Sequence, residues 1–335
     1  MMNGRTLRAA AAVFALAAAA CGGGGGAGAT RSAASSGPLF LVTKDGKAGY
    51  CDSQGKLAIP AQFDKAFPFA DGFAVVVSNG RTGYLHQDGT LAIAAQLDDG
   101  FEFSESVAAA QRGGLWGFLD TGAQWVVPAQ FEAARNFSGG LAPVKKQGKW
   151  GYVDKTGQLK IAAQYDDAYP ISEGLALVQQ GDKWGFIDPS GTMAIAPQFD
   201  DAFDFSEGMA VVKTGRKFGF VNKQGQVTIN PQFVWAGRFV NGIAPVRYEK
   251  SAGYIDKRGT TAITPDFEAA MPFSESLARV RVSGRWGFID SNGKMVIQPQ
   301  FDDAKDFENG LANVKSRSDW GYIDKSGKTI WQPSS

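Results

Sequence analysis

Histidine and cysteine are almost missing: 335 residues hold one His and two Cys. A single His rules out a multi-histidine metal site and leaves one candidate base for a Ser-His-Asp arrangement. Two Cys rule out a disulfide framework and a four-cysteine zinc site. Neither charge dominates, with 34 Lys and Arg against 33 Asp and Glu. The basic surface by which a nucleic-acid binder releases counterions is therefore lacking. The apolar run from Ala9 to Ala20 is too short to cross a bilayer as a helix. What is abundant is glycine, 43 residues, against a usual share of roughly 7 %. At 44 % hydrophobic and 20 % charged residues, the chain has the composition of a folded protein.

The N-terminus reads as an address. Arg5 and Arg8 precede the apolar run, which ends in small residues, as a secretory signal does. The glycines from 22 to 26 would break a helix continuing through them. Residues 1–20 are thus expected to be a signal peptide. Leu16-Ala17-Ala18-Ala19-Ala20-Cys21 resembles the lipobox of bacterial lipoproteins, with Ala18 where that motif usually has Leu. The resemblance implies cleavage before Cys21 and its lipidation. Gly22, rather than Asp, after the cysteine implies the outer membrane of a Gram-negative bacterium, with plain secretion or a periplasmic location as the alternative. Removing the signal takes the formal charge from +1 to −1. Residues 21–38 then form the anchor and a Gly/Ala/Ser tether, whose 15 residues from 22 to 36 span on the order of 20 Å as a coil.

From Leu39 the chain copies itself. Gly49, Gly83, Gly117, Gly151, Gly185, Gly219, Gly253, Gly287 and Gly321 stand 34 residues apart without an insertion. A fixed period of this size signals a repeat architecture. The units carry WG-[FY]-[IV]-D-x-x-G, PQFD and F-x-x-G-L-A-x-V in register, as in KWGYVDKTGQLKIAAQYDDAYPISEGLALV. They resemble the WG-repeat (KWG) family of bacterial proteins over residues 39–333. Some copies are worn: Ala48, Thr82, Phe218 and Ala252 replace the Trp, and the third copy shifts its turn glycine to Gly122. The resemblance implies a β-rich tandem array, often exported, and brings no catalytic residues.

The local chemistry also points to strands. Asp45-Gly46, Asn79-Gly80 and Gly113-Gly114 supply the positive φ that two-residue hairpins need. Asp154 to Gly157 and Asp290 to Gly293 are turns in which the Asp accepts backbone amides. Each unit is expected to be a three-stranded antiparallel meander, followed by a connector of about a dozen residues with no helical period. Alternation puts Trp184 and Phe186 on one face, Gly185 and Ile187 on the other. The glycine is expected to leave room for an aromatic ring across the backbone. Units this short must stack to bury a core. With no terminal strand evidently left to complete a first unit, the expected fold is all-β, nine repeats in an open, solenoid-like array. A closed propeller-like ring is the alternative.

The candidates for chemistry are repeated rather than unique. Asp52, Asp120, Asp154, Asp188, Asp256, Asp290 and Asp324 recur in the turn, one carboxylate per turn, which suits capping and is too few for calcium. The pairs Asp166/Asp167, Asp200/Asp201 and Asp302/Asp303, with Glu105, Glu173, Glu207 and Glu275, recur too, where a glycosidase needs one pair flanking one sugar. His86 replaces a turn Asp, and Cys51 replaces a core Ile or Val. Trp116, Trp150, Trp184, Trp286 and Trp320 share one repeat position, serving either as binding platforms or as packing between units. No catalytic residue, metal or cofactor is expected. The expected function is a non-enzymatic cell-envelope lipoprotein whose array is a protein-interaction scaffold. A glycan- or peptidoglycan-binding module using aromatic rows is the alternative, and a hydrolase comes third.

Overall fold

The computed structural model describes residues 37–317 and 319–332. The expected signal peptide, Cys21 and nearly all of the tether lie outside these. The described residues form nine antiparallel sheets, one per repeat, and no helix. Eight sheets have four strands in sequential order, and the sheet of residues 40–63 has three. We number them as blades 1 to 9: 40–63, 65–97, 99–131, 133–165, 167–199, 201–233, 235–267, 269–301 and 303–331. The molecule is a nine-bladed β-propeller.

Blade 6 shows the plan. Its second strand, Met209–Thr214, turns at Gly215 into the third, Lys217–Asn222, which carries the glycine anchor. An Asx turn leads to the fourth, Val227–Phe233. The hairpins at Asp45-Gly46, Asn79-Gly80 and Gly113-Gly114 have both φ values positive, as the two-residue turn demands. The three-stranded meander is thus present but incomplete. The start of each connector pairs with the next blade as a first strand, as short as Asp201–Ala202 in blade 6 and six residues in blades 2, 5 and 9. Two residues show no alternation to read, so this strand stays hidden in the sequence.

The anchor glycine is needed for a reason other than aromatic cover. A Cβ on Gly151 would lie 2.4 Å from the Ile161 carbonyl oxygen and 2.7 Å from the Ala163 nitrogen. The fourth strand's backbone crosses the third strand there, and the same contact recurs at Gly185, Gly219 and Gly287. In the third copy the turn does not shift with its glycine. The left-handed position stays in place and falls on Ala123, φ 64°.

Hydrophobic cores lie between blades. Trp184, Phe186 and Phe199 of blade 5 pack with Ala202, Phe205 and Val212 of blade 6. Ile187, on the opposite face, packs with Trp150 and Tyr152 of blade 4. Each blade therefore needs a neighbour on both faces.

The array is closed, as in the ring alternative; the open solenoid is not what forms. Phe40, Val42 and Cys51 of blade 1 share a core with Leu311, Tyr322, Ile330 and Trp331 of blade 9. The Tyr322 hydroxyl donates to the Leu41 carbonyl at 2.9 Å. Gly55 backs onto the Ile330 carbonyl so closely that a Cβ would fall 2.1 Å from it. No shared strand makes this joint; face packing does. The other eight blades have Ala where blade 1 has Phe40, as at Ala74, Ala108 and Ala210. At the other joints a side chain of the first strand or of the segment just after it, such as Phe205 against Phe186 or Phe273 against Tyr254, fills the space. Blade 1 has no first strand among the described residues, and Phe40 supplies the ring, 5.5 Å from Tyr322.

Candidate functional site

The recurring acids are structural clasps. In five of the copies the carboxylate that follows the PQF segment reaches two blades at once, whereas Glu132 and Glu268 take only the next hairpin's amide and, for Glu268, Arg281 of that same blade. Asp166 takes Lys149 Nζ of blade 4 at 2.5 Å and the Gly181 amide of blade 5 at 2.8 Å. Asp200 takes Lys183 at 2.6 Å and the Gly215 amide at 2.6 Å. Asp64, Asp98 and Asp302 do the same with Lys47, Arg81 and Arg285 and the next hairpin's amides. The lysine beside Asp64, Asp166 or Asp200, then the hairpin amide, holds its carboxyl below the usual range. Between blades 6 and 7 the acid is Val234, and Lys217 pairs instead with Glu249 of the blade 7 hairpin. The second carboxylate of each pair points elsewhere: Asp167, Asp201 and Asp303 accept their neighbour's amide.

The F-x-x-G glutamates form a second set of ties. Glu207 accepts the Asn241 and Gly242 amides at 2.6 and 2.9 Å, and Lys257 sits 3.2 Å away. Glu173 accepts the Glu207 and Gly208 amides and holds Lys223. Burial alone would raise its carboxyl, but those donors bring it below the usual range. Glu105 and Glu275 repeat the arrangement with Gly140 and Gly310. Beside them, Ser104, Ser138, Ser172, Ser206 and Ser274 each donate to a carbonyl of the next blade. The positive-φ turns present paired amides, which suit a carboxylate.

The turn aspartates cap. Asp154 accepts the Thr156 and Gln158 amides, and the Thr156 hydroxyl chiefly brings its carboxyl down to about 2. Asp52, Asp120, Asp188, Asp256, Asp290 and Asp324 accept from the same two places. His86 sits in its turn with its ring 4.9 Å from Phe73. Cys51 is fully buried, and burial pushes its thiol up to about 12. No cluster of three or more His, Cys, Asp or Glu suited to a metal occurs among the described residues.

The repeated tryptophans are mostly inside. Trp116, Trp150 and Trp184 are buried, and Trp286 and Trp320 are half-buried. Four are partly covered by the residue that follows the small one in their blade's first strand, and Trp286 by Arg279 of the second strand. Phe101 stacks on Trp116 at 4.9 Å, Arg135 lies over Trp150 at 4.5 Å, and Lys305 over Trp320 at 5.6 Å. This covering position is Phe67, Phe101, Arg135, Tyr169, Phe203, Gly237, Met271 and Lys305 around the ring. It varies, as the residue after it does, between a constant Ala or Gly just before it and a Phe or Ile two residues after it. Phe67 and Phe101, on adjacent blades, are 49 % and 39 % exposed. The sequence holds this signal, a variable position between PQF and F-x-x-G, but it emerges only when the copies are laid against the clasps.

The family described as "WG containing repeat" matches eight segments, 49–81, 83–116, 116–150, 150–184, 184–218, 218–250, 253–286 and 286–317. No curated protein matches the chain. A solved structure described as the eukaryotic initiation factor superposes with a TM-score of 0.66 at 10 % identity, over 89 % of this chain and 96 % of that one. That likeness shows the fold alone. The dihydro-heme d1 dehydrogenase NirN gives 0.47 at 13 % identity, over 88 % and 77 %. PorZ, a surface component of the type-IX secretion system of Porphyromonas gingivalis, gives 0.35 at 12 %, over 89 % and 51 %. Both are too distant to bear on function.

Proposed function

This chain belongs to the WG-containing repeat family, and on that premise we propose that it is a non-enzymatic binding ring of the bacterial cell envelope. Its lipid anchor is Cys21, its membrane is the outer one, and its partner is a protein. The observation that carries the reading is the division of labour among the repeats. Repeated carboxylates tie blade to blade, while the covering position varies and leaves Phe67 and Phe101 exposed on adjacent blades. Adjacent exposed aromatics on a rigid frame are the kind of anchor that protein interfaces use. Burial of Trp116, Trp150 and Trp184 takes support from a glycan-stacking row. The test is affinity capture from detergent-solubilised envelope, comparing the mature chain with Phe101→Asp. A saturable protein that the variant loses is the expected result. Retention on purified cell-wall glycan without a protein would replace this reading by the glycan one. In the same strain, Cys21→Ser is expected to move the protein from the membrane fraction to the soluble fraction. Unchanged sedimentation with the membranes would contradict the anchor.

A further inference from the structure

Blade 1 lacks two things that blades with the full motif have. Among the described residues it has no first strand, and Ala48 stands where Trp116, Trp150 or Trp184 stand. Two other worn copies differ in this respect. Blade 2 keeps its first strand, with Phe67 at the covering position beside Thr82. In blade 7, Trp235 and Gly237 belong to the first-strand segment beside Ala252. In blade 1 a cavity of about 290 Å³ remains over Ala48, lined also by Leu41, Thr43 and Phe67. Beside it runs the edge of the strand Phe40–Lys44, which among the described residues pairs only with Lys47–Cys51.

We propose that this edge takes an extended peptide of a partner protein, in the register of the first strands of blades 2 to 9. It rests on the reading of the chain as a protein-binding ring and names a second surface with a defined sequence preference. The eight internal strands show what the slot accepts. At the position facing the preceding blade they carry only Ala or Gly: Ala66, Gly100 and Ala134, and so on to Ala304. The next residue's amide donates to the second strand, as Phe203 does to the Val211 carbonyl. Its side chain covers the tryptophan position. In blade 1 that side chain would enter the cavity over Ala48, so it is large and apolar.

Hydrogen bonding supports the same register. Tyr50, Tyr84, Tyr152 and Tyr254 donate to the carbonyl of the covering residue of the next blade. Tyr322 has no such strand and donates to the Leu41 carbonyl instead. Leu41 is the counterpart of Val211, the acceptor of the strand amide. A docked peptide would take the Leu41 carbonyl and offer its own carbonyl to Tyr322, restoring the arrangement of the other joints.

Charge sets one more position. At five of the other eight joints the acid before the first strand meets a Lys or Arg that opens the preceding blade's third strand, as Asp200 meets Lys183. Blade 9 opens its third strand with Asp319, and Asp45 stands exposed in the blade 1 hairpin. The incoming residue at the acid's place is therefore basic. The preferred pattern is a basic residue, any residue, Ala or Gly, then an aromatic residue. The turn that leads from first to second strand in the other blades cannot form at the entry to blade 1. In the matching register Pro38 falls where Gly72, Gly174, Gly208 and Gly242 have φ near +80°, and proline is fixed near −65°.

The test uses the full mature chain and a synthetic peptide copying residues 198–204 with lysine in place of Asp200, followed by fluorescence polarisation. Saturable one-to-one binding is expected. The peptide with the original aspartate should bind at least tenfold more weakly, and Asp319→Lys should reverse that preference. The same lysine peptide with alanine in place of Phe203 loses the side chain that would enter the cavity over Ala48, and should bind at least tenfold more weakly. Binding that is absent, or indifferent both to Asp319→Lys and to the alanine peptide, would overturn the proposal. Strong hydrogen-exchange protection of the Leu41 and Thr43 amides without peptide would also overturn it, since the edge would already be paired. Loss of the edge site with capture by the Phe67 and Phe101 surface intact would leave the proposed function standing.

Discussion

Phe40→Ala is expected to open the ring at one joint and leave the other eight in place. Phe40 is 6 % exposed, and its ring lies against Tyr322. Removing a buried Phe side chain costs about 3–5 kcal/mol where the surroundings do not collapse. Collapse is hindered here, because the space belongs to a first strand that blade 1 lacks. In a repeat fold each joint is a separate nearest-neighbour contribution, so the loss stays local. Hydrogen exchange should show faster exchange in Phe40–Lys44 of blade 1 and Asp319–Asp324 of blade 9. The hairpins of blades 4 to 6 should keep wild-type protection. Equal loss around the ring would mean the joints are not independent, and no loss would mean that Phe40 does not hold the seam.

Gly151→Ala is expected to cost about 3 kcal/mol or more, at the upper end of overpacking effects. The added methyl would sit 2.4 Å from the Ile161 oxygen and 2.7 Å from the Ala163 nitrogen, both backbone atoms that cannot rotate away. Relief requires the third and fourth strands of blade 4 to part. The melting temperature should fall by roughly 5 °C or more. Gly148→Ala is the internal comparison, three residues earlier in the same blade. Gly148 has φ +76° and nothing within 4 Å of a Cβ, so it should lose only about 1 kcal/mol from the left-handed backbone. If the two variants melt alike, the crowding of the two strands is not why the anchor glycine recurs.

The repeat was legible because its anchor glycine never leaves a 34-residue spacing, and hairpin and Asx turns have local chemistry that residue type alone reveals. What was not legible depends on residues one period away. Glu207 reads as a solvated surface charge until the Asn241 and Gly242 amides are seen to face it. Asp166 and Asp167 read as a pair, yet one joins two blades and the other accepts the adjacent amide. The first strand escaped because two paired residues carry no period. Closure escaped for a related reason. A missing strand argued for an open array, but the substitution that offsets it, Phe40 among eight alanines, is a side-chain compensation with no motif of its own. The covering position at Phe67 and Phe101 was passed over because variability among copies looks like wear until the fold shows that those side chains share one surface.

The central claim is that nine blades close face to face without a shared strand. The most direct measurement is a spin-label distance between the Asx turns of blades 1 and 9, using Gln54→Cys with Ser326→Cys. The reference is the same pair of turns in blades 5 and 6, Ser190→Cys with Gln224→Cys. All four positions are exposed, whereas Cys51 is fully buried, with a thiol pushed up to about 12, and stays unlabelled. A closed ring predicts coincident distance distributions for the two pairs. A seam distance several times the reference, with the reference unchanged, would mean that the repeats form an open array.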